Sequence, residues 1–212
     1  MKLFDPNGSV ARFLNRLGDL MLLNMLCIAC CLPFVTAGAS ISAMHYVTLR
    51  MHRRQDEGIL KDFFHSFRQN LRQGILIHLV LTIGALVLGL DLYILWVLWE
   101  FDFVYKILFV ILAVLSLWFL GIWMFIYPLL AQFNNTIRGF LKSARYMSLK
   151  HISYTCAVLL VSSAPWLVGL YVPYVLEWII FFYLMIGFAA VSRFLARYFV
   201  TIFDQYIDTE AA

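Results

Sequence analysis

The chain has 212 residues, 63% of them apolar or aromatic and only 13% charged, with a formal net charge of +4. A soluble domain carries roughly 25% charged residues and no more than about half apolar ones, so a soluble enzyme is excluded at the outset. Disorder is excluded too, because it needs low hydropathy and high net charge. An integral membrane protein remains, long enough for five or six crossings at about 20 residues each.

The first apolar stretch, Leu20–Val35, is interrupted at Pro33 and followed by the small residues Thr36-Ala37-Gly38-Ala39-Ser40. With Arg12 and Arg16 before it and Ala37-Gly38-Ala39 after it, it imitates a secretory signal peptide. A long lead-in containing Asp5 and Asp19, and apolarity that continues past the site, argue against cleavage. Lys2, Arg12 and Arg16 favour a cytoplasmic tail, which would make residues 20–49 enter the membrane and return. About 30 residues rise only some 45 Å, short of two crossings. One span with an external tail is therefore the favoured expectation, and a broken, partly re-entrant hairpin bent at Pro33–Gly38 is the alternative.

Four further segments follow: 75–98, interrupted by His78, Thr82 and Asp91; 104–130, with Lys106 near its start; 152–170; and 178–192. The connection 50–74 holds Arg50, Arg53, Arg54, Lys61, Arg68 and Arg72, and 131–151 holds Arg138, Lys142, Arg145 and Lys150. The opposite turns, 99–106 and 170–177, hold Lys106 alone. By the positive-inside rule the long connections and the C-terminus, after Arg193 and Arg197, are cytoplasmic. Trp96, Trp99 and Phe101 on one short turn, and Tyr171, Tyr174 and Trp178 on the other, read as an external aromatic belt.

Both cytoplasmic connections carry amphipathic patterns. Phe63, Phe64, Phe67 and Leu71 recur at helical spacing beside Arg68 and Arg72. Phe133, Ile137, Leu141 and Ala144 form a stripe against Asn134, Arg138, Lys142 and Arg145. Such helices lie in the interface as basic anchors, or offer a docking surface to a partner, with Phe63, Phe67, Arg68, Arg72, Arg138, Lys142 and Arg145 as its candidate residues. The expected fold is all-α: one membrane domain over residues 1–212, a polytopic transmembrane helix bundle of about five hydrophobic segments with two amphipathic cytoplasmic helices.

No pattern points to catalysis, a cofactor or a metal. Cys27-x-x-Cys30-Cys31 has metal-type spacing, but no further ligands follow at zinc-finger distance, and Cys156 stands apart. His45, His52, His65, His78 and His151 are scattered, and neither a nucleophile elbow nor a phosphate loop is present. The basic charge is explained by topology, so nucleic acid gains no support as a partner. Polarity inside the spans remains. Asn24, His78 and Asp91 are the candidates for an intramembrane polar site, weighed against ordinary helix packing, with Lys106 a suitable partner for Asp91.

Leu14-Asn15-Arg16-Leu17-Gly18-Asp19-Leu20, Leu32-Pro33-Phe34-Val35-Thr36-Ala37-Gly38, Ala43-Met44-His45-Tyr46-Val47-Thr48-Leu49, Phe64-x-x-Phe67-Arg68-Gln69-Asn70 and Tyr127-Pro128-Leu129-Leu130-Ala131-Gln132-Phe133 together resemble the YesL-like family of uncharacterised bacterial membrane proteins. That resemblance implies a multi-pass protein of the bacterial plasma membrane with no established activity. Its members tend to be encoded beside carbohydrate uptake systems of the ABC type and sugar-responsive sensor kinases. The resulting expectation is a non-enzymatic accessory or regulatory protein, in contact with the bilayer and with subunits of such a system. The alternatives are a small permease or substrate-binding bundle, and a homo-oligomeric scaffold.

Overall fold

A computed structural model describes residues 9–55 and 57–211. Lys2 and Asp5, counted above with the tail, lie outside these residues, and so does the side chain of Arg12. The helices are α1 (Ser9–Cys31), α2 (Ala37–Arg53), α3 (Ile59–Val97), α4 (Phe103–Gln132), α5 (Ile137–Lys150), α6 (Ile152–Tyr171), α7 (Pro173–Phe182) and α8 (Phe188–Ala211). A 3-10 turn at Phe34–Thr36 leads into α2, and a π-helical turn at Tyr183–Gly187 joins α7 to α8. The described residues contain no strand, and five helical stretches are long and apolar enough to cross a membrane. The protein is an all-α polytopic bundle.

The favoured single span over residues 20–49 is corrected: the chain forms a helical hairpin. Pro33 is extended, and the Thr36 hydroxyl donates to the carbonyls of Cys30, at 2.7 Å, and Pro33, at 2.8 Å, closing the turn. Farther down the legs the Ser40 hydroxyl donates to the Cys27 carbonyl at 2.8 Å. Of the two legs, the stretch Phe13–Cys31 is long and apolar enough to cross a membrane, and the pair matches the broken, partly re-entrant alternative. The legs run through polar residues to Ser9 and Arg53, giving 23 and 17 residues, or about 34 and 26 Å.

The 39 residues of α3 rise about 58 Å, so one helix includes both the amphipathic connection and the apolar segment after it. Its first half packs along α2 by a stripe of Asp62, Phe63, Ser66, Asn70, Gly74, Ile77 and His78. The backbones touch at Gly74, where an added Cβ would lie 2.7 Å from the Ala39 amide nitrogen. Small residues are what allow such an approach between helices. The second half pairs with α4, and the turn between them exposes Trp96, Phe101 and Phe103. Tyr171, Tyr174 and Trp178 are exposed at the α6–α7 turn.

Two of the amphipathic readings are corrected. Phe63 is fully buried with Leu23, Cys27, Ala43, Met44 and Val47, and Phe67 is half-buried against the same cluster. The returning α2 covers this stripe, which faces neither lipid nor a partner. In α5 the buried face is Phe140, Ala144, Met147 and Ser148, with Ile137 and Leu141 at its edge. The face turns this way because the helix packs on α4, where Trp118 Nε1 donates to the Ser148 hydroxyl at 3.2 Å.

Candidate functional site

The three intramembrane candidates are not brought together. Asn24 of α1 is fully buried, and its amide is spent on the π turn. Its Nδ2 donates to the carbonyls of Tyr183, at 3.0 Å, and Leu184, at 2.8 Å, while its Oδ1 accepts from the Ala189 amide at 3.1 Å. A π turn widens the helix and disturbs its i→i−4 ladder, so backbone groups there need outside partners. Asn24 supplies them and clamps α1 to the start of α8.

His78 lies on α3 beside the hairpin turn, directly beneath Gly38, where an added Cβ would stand 2.7 Å from its own Cβ. Its Nδ1 is hydrogen-bonded to the Tyr127 hydroxyl at 2.8 Å. Phe34 and Trp123 complete an aromatic enclosure, with centroids 5.0 and 6.2 Å from the imidazole. Among the described residues, His78 Nε2 and the Thr82 hydroxyl one turn later are buried without hydrogen-bond partners.

Asp91 is exposed near the far end of α3. The expected pairing with Lys106 is corrected: the ammonium sits over the Trp99 ring, 5.6 Å from its centroid, where it gains a cation–π contact.

The candidate docking residues divide by exposure. Phe63 is removed, Phe67 is half-covered, and Arg68, Arg72, Arg138, Lys142 and Arg145 are exposed. Two hydrogen bonds bring the basic helices together: Gln69 Nε2 donates to Asn134 Oδ1 at 3.2 Å, and Gln73 Nε2 to the Asn135 carbonyl at 3.1 Å. Arg68 and Arg72 thus neighbour the start of α5, which is capped by the Thr136 hydroxyl accepting from the Gly139 amide at 3.2 Å. Leu60, Lys61, Phe64, His65, Arg68 and Gln69 line a shallow depression on the same outer face of α3.

An ion cluster fixes the start of α3 to the end of α2, and sequence reasoning missed it. Buried Asp62 accepts from Arg50 Nη1 at 3.0 Å and from the Glu57 amide at 3.1 Å. Arg50 also bonds Glu57 at 3.2 Å, and Lys61 bonds Glu57 at 2.6 Å. Hydrogen bonds from Lys61 and Arg50 hold the Glu57 carboxyl below its ordinary pKa. The available signal was an acid, Asp62, on the apolar stripe of an amphipathic helix.

Residues 20–92 match a family model described as Protein of unknown function, DUF624. The stretch covers α2, most of α1 and α3, and three complete blocks of the YesL-like resemblance, with which the match is consistent. No curated protein and no solved structure matches the chain.

Proposed function

We propose that the protein is a non-enzymatic accessory subunit of the bacterial plasma membrane. It docks by its cytoplasmic basic face on a carbohydrate uptake system of the ABC type or an associated sensor kinase. The observation that carries the reading is the pair of Gln–Asn hydrogen bonds joining the basic helices, with Arg68, Arg72 and Phe64 exposed beside the start of α5. An aromatic ring among guanidinium groups, held on helices that are themselves packed, matches the composition of protein–protein hot spots. The partner class comes from the YesL-like resemblance, and the cytoplasmic side from the excess of Lys and Arg on the long connections.

The test is crosslinking in native membranes, mild solubilisation and identification of the recovered subunits. Arg68→Glu with Arg72→Glu, and separately Phe64→Ala, should reduce recovery of transporter or kinase subunits by about 10-fold, a loss of about 1.4 kcal/mol, with insertion unchanged. Bare wild-type protein, or undiminished recovery with the variants, would refute the reading.

The permease alternative draws on one observation, the unpartnered His78 Nε2 and Thr82 hydroxyl on the same face of α3. Two buried polar groups one turn apart suit a small polar solute or water. Asn24 and Asp91 do not join them.

A further inference from the structure

Where the start of α1, the end of α2 and α8 meet, a cleft of about 410 Å³ opens. Arg16, Arg54 and Arg193 line it, one from each helix or its end, and among the described lining residues the one carboxylate is Asp19. Phe13, Leu17 and Leu20 form its apolar side. We propose that this cleft binds the phosphate headgroup of an anionic phospholipid of the cytoplasmic leaflet. The inference goes beyond the docking reading and uses none of its residues.

The charge here is not an incidental consequence of a basic chain end. Adjacent arginines are neutralised inside the fold: Arg50 by Asp62 and Glu57, and Arg53 by Asp204 at 2.5 Å. Arg16 and Arg54 form no ion pair among the described residues, and both are exposed. Arg54 stands at φ 56°, ψ 38°, the left-handed region that non-glycine residues seldom occupy, and there it ends α2. Nearby His52 has its pKa lowered by burial first and then by Arg193, Arg197 and Arg53, against an opposing contribution from Asp204.

The apolar side selects a lipid over a free phosphate. Phe13, Leu17, Met21 and Met25 form an i, i+4 row along α1, leading from the cleft toward the apolar centre of the helix. Phe13, Met21 and Met25 are exposed along it. A ligand with its phosphate among the guanidinium groups has an apolar track on which to lay an acyl chain. Basic pockets at the cytoplasmic ends of membrane helices recognise anionic headgroups by this combination.

The full chain is reconstituted in nanodiscs of equal parts phosphatidylglycerol and phosphatidylcholine, and retained lipid is counted by native mass spectrometry. Retention of phosphatidylglycerol over phosphatidylcholine is expected. Arg16→Gln with Arg54→Gln should weaken it about 30-fold, near 5-fold for each arginine. Lys106→Gln with Lys150→Gln removes equal charge elsewhere and should leave it unchanged, and unaltered melting in pure phosphatidylcholine discs shows that both variants fold. Equal retention of the two lipids, equal loss in both variants, or displacement by millimolar glycerol phosphate as effective as by added phosphatidylglycerol would overturn the proposal.

Discussion

Asn24→Ala tests whether the π turn is held from outside. The substitution removes bonds of 2.8, 3.0 and 3.1 Å from a fully buried side chain and leaves the Ala189 amide and the Tyr183 and Leu184 carbonyls without it. Interhelical bonds in membrane proteins average about 0.6 kcal/mol, and a buried group left unpaired costs about 1–3 kcal/mol, so the loss should be about 2–4 kcal/mol. Ser42→Ala is the matched control, because the Ser42 hydroxyl is buried with no partner among the described residues. Deleting a group that makes no bond should be neutral or mildly stabilising. The assay is titration of detergent-purified protein with sodium dodecyl sulfate, read by tryptophan fluorescence. Trp166, whose ring lies 5.1 Å from that of Tyr183, reports on the π turn itself. Asn24→Ala within about 0.5 kcal/mol of wild type, the range of an inconsequential surface change, would refute the clamp.

Gly74→Ala places a Cβ 2.7 Å from the Ala39 amide nitrogen, against backbone that cannot step aside, and should cost about 1–3 kcal/mol in the same titration. Gly89→Ala, farther along α3 with open space around it, should be neutral or gain up to about 1 kcal/mol; equal effects would show that α2 and α3 do not touch. The folded pKa of His52 lies below its ordinary 6.5, through burial first and then its arginine neighbours. At acidic pH the unfolded chain therefore takes up the proton more readily. The stability linked to this group is present in full above 6.5 and is lost as pH falls through the lower folded value. His52→Gln should flatten that slope in thermal melts taken across the window, and an unchanged slope would place the titrating group elsewhere.

The spans were legible because a bilayer imposes length and apolarity on any segment that crosses it, and the Phe63–Arg72 pattern was legible because helical period is local. Periodicity states that a stripe must be covered without stating by what. The pattern alone therefore points Phe63 at lipid or a partner, whereas its cover, Ala43, Met44 and Val47 on α2, comes from the same chain. The hairpin was lost for a related reason: hydropathy marks where a helix is apolar, whereas backbone hydrogen bonding carries α1 back to Ser9 and α2 on to Arg53.

Asn24 and His78 gave the same signal, a polar residue in an apolar run, yet the structure separates them by satisfaction. Asn24 meets its partners about 160 residues away in a π turn, a backbone irregularity with no sequence mark of its own. His78 keeps one nitrogen unpaired in an aromatic enclosure. Since an unpaired buried group is costly and a paired one is not, the count of unmet bonds, rather than polarity at depth, separates a residue open to a ligand from one that holds helices together. On that count Asn24 is structural, His78 is open, and Arg16 and Arg54, exposed and without an ion pair among the described residues, are the cleft charges the fold leaves for something outside it.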